Sequence, residues 1–280
     1  MKKDGVEIVL RHYEPSDGDP DRVARVARIM SDLGTGTLTS AQLAPLDQFH
    51  VRGLAATIEL ANLVGPTSDM HVLDAGSGLG GPSRYLAETF GCSVIGIDLS
   101  ASFVELARWL AERSGVAGRV GYEVADLRAI PFDNNGFDLV WTQHVIMNIR
   151  DRAQAYSEFR RVLKPAGRLA FYDVIAADAK PAIAYPVPWA SEPGASHLLT
   201  QEETIAALED AGFVKSVWRD VTAEALKGFV QPVPTARPRL GLASVMGPGF
   251  DAMASNLSRN LAEGRLRLAM GIFDRSVDAD

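Results

Sequence analysis

The residues with the clearest chemical meaning run His71-Val-Leu-Asp74-Ala75-Gly76-Ser77-Gly78-Leu79-Gly80-Gly81-Pro82. They spell a short apolar strand, an acid near its end, a glycine-rich turn and a proline that opens a helix. Such a turn brings backbone N–H groups against an anionic or nucleotide-like ligand, which a Cβ would hold off. The spacing Gly76-x-Gly78-x-x-Gly81 also fits the dinucleotide fingerprint. By itself it leaves open a nicotinamide or flavin cofactor and S-adenosylmethionine. A Gly-x-Ser-x-Gly hydrolase elbow is present only in truncated form.

Two further acids close apolar runs. Asp98, in Gly96-Ile-Asp98-Leu99, can accept both hydroxyls of a ribose, a role common to both cofactor types. Asp126, in Ala125-Asp126-Leu127, can accept from an adenine exocyclic amine and is more telling. Asp74 stands two residues before the first glycine, where its carboxylate is available to the cofactor site. A pyrophosphate would be repelled there, whereas an α-ammonium and a sulfonium would be attracted, so the charge favours the cationic cofactor. The segment Arg161-Val-Leu-Lys-Pro165-Ala-Gly167 ends a helix and turns into the next strand, with Pro stopping the helix and Gly supplying the bend.

Together these residues resemble the class I S-adenosylmethionine-dependent methyltransferases, over roughly residues 47–221. The resemblance implies that Asp74, Gly76, Ser77 and Gly78 bind the methionine end, Asp98 and Leu99 the ribose, and Ala125, Asp126 and Leu127 the adenine. Within the class, Asp47-Gln-Phe-His50, Trp141-Thr-Gln-His144 and Leu261-Ala-Glu-Gly-Arg-Leu are similar to the branch of ubiquinone/menaquinone C-methyltransferases and sarcosine/dimethylglycine N-methyltransferases. The last segment leans toward the sarcosine side. The implied reaction moves a methyl group from S-adenosylmethionine, leaving S-adenosylhomocysteine, onto a small-molecule acceptor, first an amine of the sarcosine or dimethylglycine kind. Alternatives are C-methylation of a quinol, O-methylation of a phenol, an NAD(P)-dependent oxidoreductase, and a cofactor-binding module without transfer. Asp74 and the Lys-Pro-Ala-Gly turn count against the oxidoreductase, and the intact glycine turn against the silent module.

Gln143 and His144 follow a buried strand at the cleft edge. The functional reading has Gln143 touching the methionine end and His144 orienting the acceptor or taking its proton near neutral pH. The bland alternative for His144 is a structural histidine. His50, with Phe49, is expected at the start of a helix that closes over the cofactor or simply packs. Tyr185, Trp189 and His197 could form an aromatic substrate wall able to hold a cationic amine, or only anchor their loop. His12 and His71 take a structural reading, and no cluster has metal-ligand spacing.

These groups need a scaffold. Strand candidates recur at 71–75, 93–98, 120–125, 137–142 and 168–175, with helical spacing at 82–90, 101–114 and 151–163. The alternation predicts an α/β fold: a Rossmann-like, doubly wound, seven-stranded, mostly parallel sheet. A helix over 47–63 is expected before the first strand, behind an N-terminal extension over 1–46 with a turn-rich start and a helix at 22–33. Residues 47–280 form the catalytic domain, with 176–199, an insertion after strand five, and 222–263 as lid or substrate segments. Thr200-Gln-Glu-Glu203 opens a helix through Ala211, a strand follows near 214–221, and the Pro-rich stretch 231–238 leads to a helix at 250–263. The run Leu266–Phe273 reads as an edge strand.

Composition bounds the partners. With 280 residues and a net charge of -7, the chain lacks the basic face that a nucleic acid or an anionic membrane demands. Arg259, Arg265 and Arg267 are the nearest approach to a basic patch and read as solvated charge. Cys92 is the single cysteine, so no intramolecular disulfide forms and a reducing, cytoplasmic setting is expected. No signal segment and no run of roughly 18 apolar residues appears. A homodimer is left open.

Overall fold

The computed structural model describes residues 5–13, 31, 36–229, 241–247 and 249–276. Helices α1 (Gly5–Tyr13), α2 (Ser40–Asp47) and α3 (Leu54–Val64) precede the sheet. The alternating part runs β1 (His71–Ala75), α4 (Gly81–Phe90), β2 (Ser93–Asp98), α5 (Ala101–Arg113), β3 (Val120–Val124), β4 (Phe137–Gln143), α6 (Arg152–Val162) and β5 (Leu163–Ala176). It continues through α7 (Gln201–Asp210), β6 (Phe213–Asp220), α8 (Thr222–Phe229), α9 (Ala243–Met246), α10 (Phe250–Ala262) and β7 (Leu266–Arg275). The helix boundaries have local causes. Pro82 lies in the first turn of α4 and Gly91 ends it at φ 75°. Ser100 accepts from the Phe103 N–H to cap α5, and Thr200 with Glu203 forms the capping box of α7.

The seven strands lie in the order β3-β2-β1-β4-β5-β7-β6, with β1 to β5 parallel and β7 antiparallel to both its neighbours. Side chains alternate across this sheet: Val72, Trp141 and Tyr172 join one buried cluster, Leu73, Val140 and Phe171 the other. Strand order reverses between β1 and β4, and the crevice beyond the carboxyl ends of the strands there is where ligands of such sheets bind.

Four expectations need correction. The helix over 47–63 is broken: α2 ends at Asp47 and α3 starts at Leu54, because Arg52 (φ 69°) and Gly53 (φ 50°) take left-handed backbone that no right-handed helix accepts. Phe49 and His50 therefore lie in a turn. Strand five starts at Leu163, so Lys164–Gly167 is an irregularity inside the strand, where the register skips between Phe137 and Leu139. The run Leu266–Phe273 is interior, not an edge, lying between β5 and β6 with both faces covered. From Leu268 to Phe273 its residues are without exception non-polar and buried, the mark of a strand covered on two sides. The turn-rich start contains α1. Apart from Ser31, the helix expected at 22–33 and the stretch 231–238 lie outside the described residues. Among those described, no helix is long and apolar enough to cross a membrane.

Candidate active site

The glycine turn is held against β2 by its own backbone. Gly76 N–H and Ser77 N–H both donate to the Ile97 carbonyl, at 2.8 and 2.9 Å. Gly76, Gly78 and Gly80 have φ of 82, 52 and 73°, a conformation in which L side chains are strained. Gly78 N–H donates to Asp98 Oδ2 at 2.9 Å, and Ser100 N–H to Asp98 Oδ1 at 2.9 Å, so the carboxylate is fixed at the lip of the turn.

Beyond this lip opens a cavity of about 560 Å³. It gathers Gly76, Gly78, Asp98 and Leu99 from the first two strand ends, and Ala125, Asp126 and Leu127 from the third. Gln143 and His144 after β4 line it too, as do His50, Trp189 and His197.

Three expected residues are not among its lining. Asp74 is 2% exposed and turned beneath the glycines, where it accepts from Ser83 Oγ at 2.5 Å. It anchors the start of α4 and is no open carboxylate. Burial pushes its pKa up to about 7, with Ser83 pulling the other way. Ser77 is buried, and its Oγ has no partner. Tyr185 packs against the core cluster that holds Trp141. Asp126 faces the cleft, but Arg128 grips both its oxygens at 2.7–3.1 Å. Burial alone would raise this carboxyl; Arg128 outweighs that and holds it below the ordinary range.

A buried polar network crosses the floor. Gln143 Oε1 accepts from Trp141 Nε1–H at 2.9 Å and from the Thr57 hydroxyl at 3.3 Å. Gln48 Oε1 is 2.7 Å from the Thr57 hydroxyl and 2.9 Å from His50 Nε2. Every oxygen is used, yet Nε2 of Gln48, of Gln143 and of His144 are buried without a partner. Gln143 and His144 line the cleft, whereas the Gln48 amide lies by Asp47. Each orphaned polar group costs about 1–3 kcal/mol, so two of them at one cleft call for an explanation outside the protein's own groups.

His144 carries a second mark of function. Its φ is 54°, left-handed backbone in a non-glycine residue, held by its N–H donating to the Tyr172 carbonyl at 2.8 Å. Its ring lies 4.8 Å from that of Tyr172 and 5.9 Å from that of His50. Burial drives His144 well below the usual imidazole range, with His50 adding to the effect, and lowers His50 to about 4. Both rings are neutral at pH 7, so His144 can accept a hydrogen bond, while the same burial opposes its taking up a full charge.

Sequence reasoning missed the outer wall. Val6, Val9, Leu10 and Tyr13 of α1 line the cavity, as do Met246, Phe250, Ala254 and Leu257 from α9 and α10. The spacing i, i+3, i+4, i+7 of the α1 residues is an amphipathic helical stripe, a signal that was there to find. Asp173 of β5 was missed as well. It is 4% exposed and accepts from the N–H groups of Met147 (3.2 Å) and Val174 (2.9 Å), holding the loop that carries His144. On the far side of that loop, His197 N–H donates to the Met147 carbonyl at 2.8 Å, and the Arg152 guanidinium donates to the His197 carbonyl.

Burial pushes Asp173 up to about 7, Arg152 opposing. The unfolded chain releases this proton near the ordinary value of about 4, whereas the native chain keeps it to about 7. The native state therefore binds more protons in that interval, and this residue's contribution to stability is lost as pH rises. The stability advantage of Asp173→Asn over the parent should grow by on the order of 2 kcal/mol between pH 5 and 7.5. Urea unfolding of both proteins at those two pH values reads it; an unchanged difference would place the carboxyl at its ordinary value.

The sheet order and the cleft at the β1/β4 reversal match the Rossmann-like fold found in class I methyltransferases. Residues 73–171 match the family model described as a methyltransferase domain. The chain is 37% identical over 134 residues to the sarcosine/dimethylglycine N-methyltransferase of Halorhodospira halochloris, covering 48% of this chain and 47% of that one. It is 32% identical over 130 residues to methyltransferase GfsG of Streptomyces halstedii, covering 46% and 47%. The chain thus spans about half the length of these relatives. In fold it is similar to a geranyl diphosphate C-methyltransferase from Streptomyces coelicolor A3(2), with a TM-score of 0.71 and 19% identity over 98% of this chain and 99% of that one.

Proposed function

We propose that this chain catalyses methyl transfer from S-adenosylmethionine to a small-molecule acceptor. The observation that carries the reading is the convergence of unpartnered buried nitrogens on one strand-end cleft. They suit the cofactor's polar amino-acid end: Gln143 Nε2 is a donor for a carboxylate, and the turn at Gly76 and Gly78 leaves room for close backbone approach. Asp98 would take the ribose hydroxyls, and Ala125 and Leu127 would flank the adenine, with Asp126 and Arg128 at its edge. When bound, S-adenosylmethionine would supply a methyl group on a sulfonium, the sulfur keeping the C–S electron pair and leaving as a neutral thioether as the acceptor's electron pair forms the new bond. The protein has only to align the acceptor, exclude water and remove its proton. Neutral His144 would accept a hydrogen bond from the acceptor and orient it while its proton leaves for solvent.

Some relatives are N-methyltransferases and others O-methyltransferases, so an amine acceptor rests on the sequence alone. The residues that first suggested it do not line the cleft: Glu263-Gly264-Arg265 forms the turn between α10 and β7, where Arg265 bonds Glu263 at 2.6 Å and the Ala182 carbonyl. The neutral His144 and the apolar outer wall favour instead a hydroxyl or an activated carbon.

Thermal shift separates the classes. S-adenosylhomocysteine should raise the melting temperature and NADH should not, since only a ligand of the native state stabilises it. Asp98→Ala should weaken S-adenosylhomocysteine binding at least tenfold, and His144→Ala should keep binding while losing turnover. Stabilisation by NADH alone would overturn the reading, and full activity of His144→Ala would remove the histidine from it.

A further inference from the structure

We propose that α1 is the acceptor-binding wall of the cleft and that the acceptor has an apolar body, an inference that rests on the methyl-transfer reading. The two faces of this helix meet different surroundings. One face docks: Ile8 packs against the core beside Gly194. His12 lies on the same side, with Nδ1 2.9 Å from Ser191 Oγ and Nε2 2.8 Å from the Pro188 carbonyl. At the helix end the Tyr13 hydroxyl donates to Asn148 Oδ1 at 3.2 Å and the ring stands edge-on to Phe103, 5.9 Å away. These contacts seat α1 over the cleft.

The other face, Val6, Val9 and Leu10, lines the cavity and is only half-buried. Met246, Phe250 and Ala254 bring a second apolar surface to the same cavity from α9 and α10. Three helices from opposite ends of the chain thus turn apolar side chains toward one space next to His144. Covering them removes apolar surface from water, and that is the interaction such a wall can offer. A zwitterion with a few heavy atoms could meet the polar residues that also line the cavity, Arg52, Asn148 and Arg150 among them, but would leave both apolar stripes wet. A molecule with a ring or a branched hydrocarbon body and one reactive hydroxyl or carbon would cover the stripes and still reach His144.

Isothermal titration of the full chain saturated with S-adenosylhomocysteine tests this, with 4-hexylphenol and sarcosine as separate titrants. The parent should bind 4-hexylphenol and give no heat with sarcosine. Leu10→Asp on α1 and Phe250→Asp on α10 should each weaken 4-hexylphenol binding tenfold or more while changing S-adenosylhomocysteine affinity less than twofold. That second affinity reports that the cofactor half is intact in each variant, and Leu10→Ala, expected to lose about threefold, serves if the charged variants do not fold. Binding of sarcosine without 4-hexylphenol, no binding of 4-hexylphenol, or equal binding by the parent and the α1 variants would overturn the proposal. Failure of the parent to bind S-adenosylhomocysteine would instead overturn the methyl-transfer reading beneath it.

Discussion

Gly76→Ala is expected to weaken S-adenosylhomocysteine binding at least a hundredfold, close to 2.7 kcal/mol, and to destabilise the free protein as well. The new Cβ would lie 2.4 Å from Val145 Cγ2 and 2.5 Å from Cγ1, in a residue whose φ is 82°. Backbone strain of this kind costs about 1–3 kcal/mol, and overpacking typically another 1–3 kcal/mol. Neither escape is harmless. If the turn relaxes to negative φ, it surrenders the N–H donation to Ile97 that presses it onto β2. If Val145 retreats, it moves the chain next to His144, whose own backbone is already left-handed. Calorimetric titration with S-adenosylhomocysteine and urea unfolding give the two readouts. The variant Gly76→Ala/Val145→Ala should recover part of the stability but little of the affinity, because it removes the clash and leaves the strain. Gly121→Ala is the control: it sits on β3 with nothing within 4 Å of its added methyl, and it should match the parent. Affinity retained in Gly76→Ala would show that the turn does not contact the cofactor.

The second large effect concerns a buried ion pair. Arg84 Nη2 lies 2.5 Å from Asp47 Oδ2, with side chains 0% and 1% exposed, and Arg84 Nη1 donates to the Leu79 carbonyl at 2.6 Å. The pair ties the end of α2 to the first turn of α4, so closely that a Cβ on Gly81 would stand 2.6 Å from the Asp47 carbonyl oxygen. Ser40 reinforces the contact by donating its N–H and hydroxyl to Glu88 Oε2, at 2.9 and 2.5 Å. Removing one partner of such a pair typically costs about 3–5 kcal/mol, because the other is left charged in a dry site.

The two partners should not be equivalent. Burial pushes the Asp47 carboxyl up and Arg84 opposes it, so without Arg84 the acid can take a proton and shed its charge. A guanidinium has no such exit. Asp47→Leu should therefore lose about 3–5 kcal/mol, Arg84→Met clearly less, and the double variant less than the sum of the two. A double-mutant cycle by urea unfolding measures all three, and equal costs for the single variants would show that Asp47 stays ionised without its partner.

Much of the fold was legible because periodicity and breakers report local chemistry. The first four strands and the helices between them lie within a few residues of where alternation, Pro82 and Gly91 place them, and the capping box places α7. The seventh strand was recognised as a strand and misplaced at an edge. Periodicity counts apolar residues along a chain, and only pairing with β5 and β6 reveals which neighbours cover its faces. The helix break before Leu54 was invisible because nothing in the spacing of apolar residues encodes the sign of φ at Arg52.

The site divides in the same way. Glycines in a turn, an acid at a strand end and a histidine after a strand can be read from residue types, since strand ends of a parallel sheet converge on one crevice. The sequence by itself thus determined the class of scaffold and the rim of the cleft: Gly76, Gly78, Asp98, Ala125–Leu127, Gln143 and His144. Tertiary structure decided which carboxylates face it. Asp74 was drawn under the turn by Ser83, and Asp126 was met by Arg128, because a side chain's direction depends on partners that packing brings near. It also decided the outer wall, where Val6, Val9 and Leu10 share one space with Met246, Phe250 and Ala254, more than two hundred positions away. Spacing along a chain carries no record of such an encounter; only burial of apolar surface between distant segments creates it.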